Sequence, residues 1–354
     1  MSKSVKYDYL ILGQGLAGSL LGWNLMRQGC RVMLLDDAHD SSSSMVAAGL
    51  INPLAGWRLV LPKEVDAWLA AASETYRALE QSAGKPLYHQ LSMLRLFQDA
   101  GQLRFWERLQ TQPAAHKFFG KACTPHDCGR GISAPFGGFT QYHTGYLDLP
   151  AMLEHLRQQF IHSNALTTGS LDYTDIRLQK NAVSWGRFSA DQLVCCEGWR
   201  AQTNPWFSWL PFTPDKGEFL TLEGGVPPAQ IINGRHMAIP LATGNLRVGS
   251  THEHQQLDNR PTNDGRKQLL TGLRQLLSNA DDFRVKAHQA GVRPATQDRQ
   301  PLLGTHPGYR NLHIFNGFGA KGTLTIPWHA RRFSRYLQAG LPLPGASDIS
   351  RCRD

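Results

Sequence analysis

The sequence predicts an α/β fold with two domains, one built around a parallel β-sheet and the other mainly around an antiparallel sheet. The parallel sheet is indicated by a strand, a glycine-rich turn, a helix and a second strand that follow one another over residues 7–36. The antiparallel sheet is indicated by strand-like segments around residues 218–222, 231–240 and 246–250. A chain of 354 residues is long enough to form both.

The N-terminal unit carries the glycine pattern of a dinucleotide-binding site. Residues 7–12 are predicted to form a buried strand, and the turn that follows consists of Gly13, Gln14, Gly15, Leu16, Ala17 and Gly18. Gly13 permits a tight turn, Gly15 lets the backbone approach a pyrophosphate, and Gly18 lets the helix pack closely on the strand. The N–H groups at the helix start attract phosphate oxygens. We therefore predict a bound dinucleotide here, rather than a glycine-rich turn without a ligand.

The second strand of this unit, residues 30–36, ends in an acidic residue. Asp36 is placed where a carboxylate can accept hydrogen bonds from a ribose 2′-hydroxyl, and Asp37 is the alternative. An acid at this position favours NAD or FAD over NADP. It does not distinguish NAD from FAD.

A segment of serines and small residues follows, over residues 41–53. Serine repeats are typical of linkers, but these run directly into a short, apolar, loop-like stretch. We predict that hydroxyl groups and closely approaching backbone of this segment line the rest of the ligand. The residues concerned are Ser43, Ser44, Ala48 and Gly49.

The net charge of +9, from 37 Lys and Arg against 28 Asp and Glu, suits anionic ligands or RNA. The basic residues are spread along the chain and no RNA-binding signature accompanies them, so we predict a solvated basic surface. No apolar run approaches the ~20 residues that span a bilayer. Because no signal peptide precedes the first strand, we expect a cytoplasmic protein.

The six cysteines form no Cys-x-x-Cys pair. Cys123 and Cys128 flank His126, but no second pair of ligands follows, and we predict no metal site. Reduced, mostly buried thiols are the expected state.

Five features occur in a set order along the chain: the glycine-rich turn, Gly145-Tyr146-Leu147-Asp148, the strand that ends at Gly198, Gly291-Val292-Arg293-Pro294 with Asp298, and a glycine-rich loop at 317–322. In this order they resemble the FAD-dependent amino-acid oxidase family, which includes D-amino-acid oxidase, glycine oxidase and sarcosine oxidase. The flavin domain of the bifunctional tRNA wobble-uridine modifying enzyme is similar too. The resemblance spans nearly the whole chain. Its Gly-x-Arg-Pro stretch with a later glycine loop favours FAD over NAD.

The resemblance implies an α/β architecture with a Rossmann-like FAD-binding domain and a second, mainly antiparallel-sheet substrate domain. Both would be discontinuous. The FAD-binding domain would take residues 1–85, 145–212 and 290–354, and the substrate domain residues 86–144 and 213–289.

The resemblance also implies roles for single residues. Arg293, in the Gly-x-Arg-Pro stretch, would bind the substrate carboxylate, and its planar fork suits that group. Glycine oxidase-like members carry an Arg in the later glycine loop, where Ala320 and Lys321 stand here, so Lys321 is expected to supply the positive charge. Gly291 stands where sarcosine oxidase-like members attach flavin through a Cys, so we predict non-covalent FAD. The predicted FAD-binding residues are Gly13, Gly15, Leu16, Ala17, Gly18, Asp36, Asp37, Ser43, Ser44, Ala48, Gly49, Gly198, Gly291, Gly319, Ala320, Lys321, Gly322 and Thr323.

The implied reaction is oxidation of the C–N bond of an amine or amino acid by hydride transfer to flavin. Arg293 and Lys321 are the candidate catalytic residues, and no general base is nominated. The expected partner is therefore a small-molecule amine or amino acid. A tRNA-modifying flavoenzyme that acts on a carboxymethylaminomethyl uridine is an alternative that the basic charge supports. Further alternatives are a non-catalytic FAD-binding protein and a plain NAD dehydrogenase.

Overall fold

The computed structural model describes residues 6–37, 42–54 and 56–352, which form two compact units. The first unit takes the described residues of Met1–Met45, Leu149–Asp215 and Val292–Asp354, and the second takes those of Val46–Asp148 and Lys216–Gly291. The helices are α1 (Leu16–Arg27), α2 (Ser43–Val46), α3 (Val65–Ala83), α4 (Ala100–Leu109), α5 (Leu149–His162), α6 (Asn263–Leu276) and α7 (Gly322–Ala339). The strands are β1 (Lys6–Leu12), β2 (Val32–Asp36), β3 (Leu50–Ile51), β4 (Tyr88–Gln90), β5 (Met93–Leu96), β6 (Phe119–Cys123), β7 (Gly138–Gln141), β8 (Gly145–Leu147), β9 (Leu166–Thr168), β10 (Ile176–Leu178), β11 (Val183–Trp185), β12 (Phe188–Cys195), β13 (Asp215–Glu223), β14 (Ile231–Asn233), β15 (Met237–Pro240), β16 (Leu246–Gly249), β17 (Arg284–Arg293), β18 (Leu302–His306) and β19 (Tyr309–Asn316).

The first unit is built on a sheet whose central strands are parallel. β1 pairs with β2 and β12, β2 pairs with β9, and β12 pairs with β19, all in parallel. Leu10, Leu193 and Leu312 lie side by side in this register and pack into one buried core. On the other face, a Cβ added to Gly22 of α1 would lie 3.3 Å from Leu34. The carboxyl ends of β1, β2 and β12 therefore meet at one edge of the sheet, beneath the start of α1.

The second unit is built on a mainly antiparallel sheet of eight strands, in the order β17-β13-β16-β15-β14-β5-β7-β6. Within it, β14 pairs with β5 in parallel. One face packs on α6, because apolar side chains of alternate strand positions meet the apolar stripe of the helix. The residues of this core include Leu220, Leu222, Ala238, Leu246, Val248, Leu269, Leu273 and Leu276. The strands predicted around 218–222, 231–240 and 246–250 are present as β13 to β16.

The compact units differ from the predicted domain borders at residues 46–85, 145–148, 213–215 and 290–291. Residues 213–215, which the sequence placed with the antiparallel sheet, belong to the first unit. The other three ranges, which the sequence placed with the glycine-rich turn, belong to the second unit. The physical reason is backbone pairing, since β8 lies between β3 and β4 in a separate three-stranded sheet. The assignment of FAD binding and substrate binding to the two units stays a prediction.

The expectation of reduced thiols is wrong for two cysteines. Cys123 and Cys128 form a disulfide with an S–S distance of 2.09 Å. Cys123 ends β6 and the turn after it brings the two Cα atoms to 5.1 Å, within the range that a disulfide spans. Cys30, Cys195, Cys196 and Cys352 are free.

None of the helices in the described ranges is both long and apolar enough to cross a bilayer. In the same ranges, no group of three or more His, Cys, Asp or Glu side chains is arranged to hold a metal ion.

Candidate active site

The glycine-rich turn after β1 has no room for side chains at two of its glycines. Gly13 has a φ of 95°, and a Cβ added there would lie 2.7 Å from the carbonyl oxygen of Cys196. A Cβ on Gly18 would lie 1.9 Å from the carbonyl oxygen of Gly13. The obstacles are backbone atoms, which cannot move aside cheaply. The tight turn and the close helix packing predicted for Gly13 and Gly18 are both present.

The N-terminus of α1 is capped from the serine segment. Gly15 is the N-cap residue and offers no side chain, and the N–H of Leu16 donates to Oγ of Ser44 at 3.0 Å. No acidic residue stands in the first turn of the helix, so its positive end is not neutralised there. The structure thus brings Ser44 to the glycine turn, and Ser43 begins the adjacent α2. Ala17 lies in the first turn of α1.

The two candidate ribose ligands differ in burial and in their partners. Asp36 is buried, and its Oδ2 accepts a hydrogen bond from Nη1 of Arg157 at 2.8 Å. Asp37 is exposed and forms an ion pair of 2.6 Å with Arg200. A carboxylate has about four acceptor positions, so an arginine on one oxygen of Asp36 is compatible with a ribose hydroxyl as well. Asp36, held in place by Arg157, remains the better candidate.

Arg157 was not found from the sequence. It lies on α5, and its Nη1 also donates to Oε1 of Gln14 at 2.5 Å. It therefore joins the second residue of the glycine turn to the acid at the end of β2. No motif surrounds Arg157, and its 121-residue separation from Asp36 left no local signal.

A buried carboxyl group follows β12, beside Gly198. Oε1 of Glu197 accepts hydrogen bonds from Tyr173 at 3.1 Å and from Asn204 at 2.7 Å, whereas its Oε2 is buried without a hydrogen-bond partner among the described residues. Burial raises the pKa of Glu197. Gly198, with a φ of 66°, reverses the chain directly after it. The sequence indicated Gly198 but not Glu197.

The Gly-x-Arg-Pro stretch and the glycine loop at 317–322 meet in the first unit. The N–H of Gly319 donates to the carbonyl oxygen of Pro294 at 3.1 Å. Lys321 precedes α7, and burial followed by the charge of Arg299 lowers its pKa. Ala320 is exposed, Gly322 is the first residue of α7, and Thr323 is buried.

Arg293 has an internal partner that the sequence did not reveal. Its Nη1 donates to Oδ2 of Asp215 at 2.6 Å, and both side chains are largely buried. Burial lowers the pKa of Arg293, and the charge of Asp215 opposes the shift. The predicted anchor for a substrate carboxylate is thus already neutralised by a protein carboxylate. Its role as that anchor stays a prediction.

Three predicted cofactor-binding residues belong to the second unit. Gly49 has a φ of 65°, and a Cβ there would lie 2.0 Å from the carbonyl oxygen of Leu147. Ala48 is buried in an apolar cluster that includes Tyr146. Gly291 lies near the end of β17. The glycines are explained by backbone proximity within this unit, and their contact with cofactor stays a prediction.

The glycine turn fits the pyrophosphate of FAD. The cap position at Gly15 carries no side chain, and the N-terminal end of the helix is positive. A side chain at Gly13 or Gly18 would collide with backbone atoms, so the shape of the turn requires glycine at both positions.

Comparisons with known proteins agree with this geometry. The model of the DAO family, described as FAD dependent oxidoreductase, matches residues 8–335. Glycine oxidase from Pseudomonas aeruginosa is 26% identical over 357 residues, which cover 94% of this chain and 95% of that protein. The crystal structure of glycine oxidase from Geobacillus kaustophilus superposes with a TM-score of 0.83 at 20% identity, covering 98% of both chains. Iminodiacetate oxidase from Chelativorans sp. BNC1 has a TM-score of 0.82 at 20% identity, covering 97% of this chain and 98% of that one.

These findings confirm the α/β fold and the resemblance, and they decide between the two dinucleotides in favour of FAD. The family match extends over most of the sequence, and the chain therefore belongs to the DAO family of FAD-dependent oxidoreductases.

Proposed function

We propose that this chain oxidises the C–N bond of a small amine or amino acid that carries a carboxylate. The observation that carries the proposal is the hydrogen bond between Gly319 and Pro294, which joins the stretch bearing Arg293 to the loop bearing Lys321. This bond brings the segment after Arg293, the last residue of β17, against the turn that carries Lys321, within an FAD-dependent oxidoreductase. The similarity to glycine oxidase over 94% of the chain supports an amino-acid substrate.

Residues of the first unit bind the cofactor. The N–H groups at the start of α1 hold the pyrophosphate, and Asp36, oriented by Arg157, binds the ribose. FAD, when bound, accepts the electron pair of the oxidised bond. Gly291 offers no thiol, so the cofactor is held without a covalent bond.

Lys321 contributes a cation close to the N-terminus of α7. Its lowered pKa follows from burial and from the charge of Arg299, which shows that the surroundings disfavour further positive charge. We propose that an anionic substrate, or negative charge that develops during the reaction, compensates this cost.

The proposal is tested by an absorbance spectrum and anaerobic addition of glycine, sarcosine, proline, iminodiacetate and D-amino acids to the purified holoenzyme. We expect acid precipitation to release FAD and at least one carboxylate-bearing amine to bleach the flavin bands. Flavin that stays oxidised with all of them would contradict the proposed substrate class. Bleaching only by a modified uridine, with salt-sensitive tRNA binding, would favour the tRNA enzyme instead.

The cytoplasmic location is part of the proposal. The disulfide between Cys123 and Cys128 is unusual for a reducing compartment. Thiol alkylation in intact cells provides the test, because a cytoplasmic chain should be labelled at both cysteines. Complete protection of Cys123 and Cys128 would indicate an oxidising location.

A further inference from the structure

Basic residues that lie far apart in the sequence come together on two helices of the first unit, α1 and α7. Neither helix contains an Asp or a Glu, and α7 alone carries three arginines. The helices run in parallel. Their N-termini are adjacent, since a Cβ added to Gly322 would lie 3.7 Å from Leu16. Near their C-termini, Nε2 of Gln338 donates to Oε1 of Gln28 at 2.7 Å.

Each of the two helices presents a tryptophan with an arginine stacked over it. The guanidinium carbon of Arg27 lies 4.7 Å from the ring centroid of Trp23, and that of Arg332 lies 4.2 Å from the ring centroid of Trp328. Both arginines are exposed, and both indoles are partly exposed. At about 1.5 Å per residue, Trp23 lies ~10 Å beyond the start of α1 and Trp328 ~9 Å beyond the start of α7. The stacked pairs therefore stand at similar heights on neighbouring helices.

A third arginine extends this group of side chains toward the contact between the helices. Arg335 is exposed and lies one turn before Gln338, and Gln28 directly follows Arg27. Because the hydrogen bond between the two glutamines is itself exposed, the exposed sides of both helices meet at one surface. We call this the Trp–Arg surface, which consists of Trp23, Arg27, Trp328, Arg332 and Arg335.

The arginines of the Trp–Arg surface form no ion pair with a carboxylate of the described residues. Several exposed arginines elsewhere do, in the pairs Arg31–Asp8, Arg200–Asp37 and Arg274–Asp281. A guanidinium that lies over an indole uses one face for that contact and keeps the N–H groups at its edge for other acceptors. The surface is therefore a cluster of positive charge that no neighbouring carboxylate neutralises in the described part of the chain.

We infer that the Trp–Arg surface binds a single-stranded nucleic acid. Its arginines can donate to phosphate oxygens and can stack a base on the guanidinium face that points away from the indole. A single strand leaves its bases free for such stacking, whereas a duplex does not. A lipid bilayer fits less well, because each indole is partly buried beneath a guanidinium and does not project as an apolar anchor. The net charge of +9 favours the approach of a polyanion.

This inference goes beyond the proposed reaction and does not depend on it, since its test does not measure flavin reduction. Nucleic-acid binding at this surface would also not by itself favour the tRNA-modifying alternative. That alternative requires in addition that a modified uridine reduces the flavin.

Two pairs of substitutions separate the charge of the surface from its stacking. Arg27→Gln combined with Arg332→Gln removes both stacked charges, whereas Arg27→Lys combined with Arg332→Lys keeps the charges and loses the planar guanidinium groups. The matched control combines Arg77→Gln with Arg104→Gln, on helices α3 and α4 of the second unit. Both control arginines are exposed and form no ion pair with a described carboxylate, but their helices also carry acidic residues.

The experiment titrates a short fluorescent oligouridylate with each holoenzyme over a series of NaCl concentrations and follows fluorescence anisotropy. We expect the wild type to bind at low salt and the double glutamine variant to bind roughly tenfold more weakly. Each phosphate contact contributes about 0.7 to the slope of log K against log salt for a single strand, so the loss of two contacts should reduce that slope by ~1.4. The double lysine variant should keep the slope and bind more weakly than the wild type. The control should stay within about twofold of the wild type.

Three outcomes would overturn the inference. The first is a wild type that binds no oligouridylate at low salt. The second is a control variant weakened as much as the double glutamine variant, which would show that only the total charge matters. The third is binding to phosphatidylserine vesicles that depends on Arg27 and Arg332, without binding of oligouridylate, which would assign the surface to a membrane.

The lysine variant tests the stacking itself, because an affinity equal to that of the wild type would contradict a role for the guanidinium planes. Since the substituted side chains are exposed, we expect the thermal midpoints and flavin spectra of all three variants to match those of the wild type.

Discussion

Arg293 and Arg247 are both largely buried, yet they stand in opposite electrostatic situations. Arg293, in the first unit, lies 2.6 Å from Asp215, and the pair carries no net charge. Arg247, in the second unit, donates to a backbone carbonyl, lies beside an aromatic ring and is acted on by the charge of Asp148. Only Arg293 stands in a recognisable motif. A sequence motif therefore locates an arginine. Whether that arginine can bind an anionic ligand depends on the charges that already lie beside it.

The first prediction concerns the carboxylate partner of Arg293. Removing one partner of a buried ion pair leaves an uncompensated charge, so we expect Asp215→Ala to lower the free energy of unfolding by about 3–5 kcal/mol. Urea denaturation measures it. Asp66→Ala, which breaks the exposed pair with Lys117, should cost below ~1 kcal/mol. Equal losses in the two variants would show that the Arg293 pair is not effectively buried.

The next prediction tests whether the glycine turn holds FAD. A Cβ on Gly18 would lie 1.9 Å from backbone, so we expect Gly18→Ala to destabilise the fold by about 1–3 kcal/mol and to release FAD during gel filtration. Gly345→Ala is the control, because nothing lies within 4 Å of a Cβ at that position. Full FAD retention in Gly18→Ala would contradict the assigned role of the turn.

Lys321 tests whether a second cation of the first unit acts on the reaction. Loss of its charge in Lys321→Met should slow flavin reduction or reoxidation about tenfold, equivalent to ~1.4 kcal/mol. Stopped-flow absorbance measures both rates. Unchanged rates of both half-reactions would remove Lys321 from the mechanism.

The smallest effect concerns Glu197, whose buried Oε2 has no hydrogen-bond partner among the described residues. Burial raises its pKa in the folded state, so the folded protein holds this proton more tightly than the unfolded chain. The stabilisation is present below the ordinary glutamate pKa and is lost as pH rises through the raised value. Glu197→Gln should remove this pH dependence and become the more stable protein toward neutral pH, by about 1 kcal/mol. Urea denaturation of both proteins from pH 4 to 8 measures this effect. A difference in the free energy of unfolding that does not change with pH would contradict a raised pKa of Glu197.

The sequence predicted the parts of the molecule whose physical causes are local. Gly13 and Gly18 are required by backbone contacts within the turn and its neighbouring strand, and the FAD cofactor was inferred correctly from the ordered motifs. The strands β13 to β16 were predicted from strand-like segments of the sequence.

The missed residues depend on contacts between distant segments. Asp215 and Arg293 are 78 residues apart, and Arg157 and Asp36 are 121 residues apart. The sequence around each residue therefore does not indicate its partner. The disulfide was missed because five-residue spacing matched no familiar motif.

The pairing of β1 also constrains when the enzyme can acquire its cofactor during synthesis. β1 is flanked by β2 and β12, and β12 pairs in turn with β19, which ends at Asn316. A ribosome that has made the glycine turn must therefore add about three hundred residues before the sheet beneath it is complete. We expect FAD capture to follow translation, and nascent chains stalled before β19 to emerge without flavin fluorescence; flavin retained on chains that end before residue 300 would contradict this order.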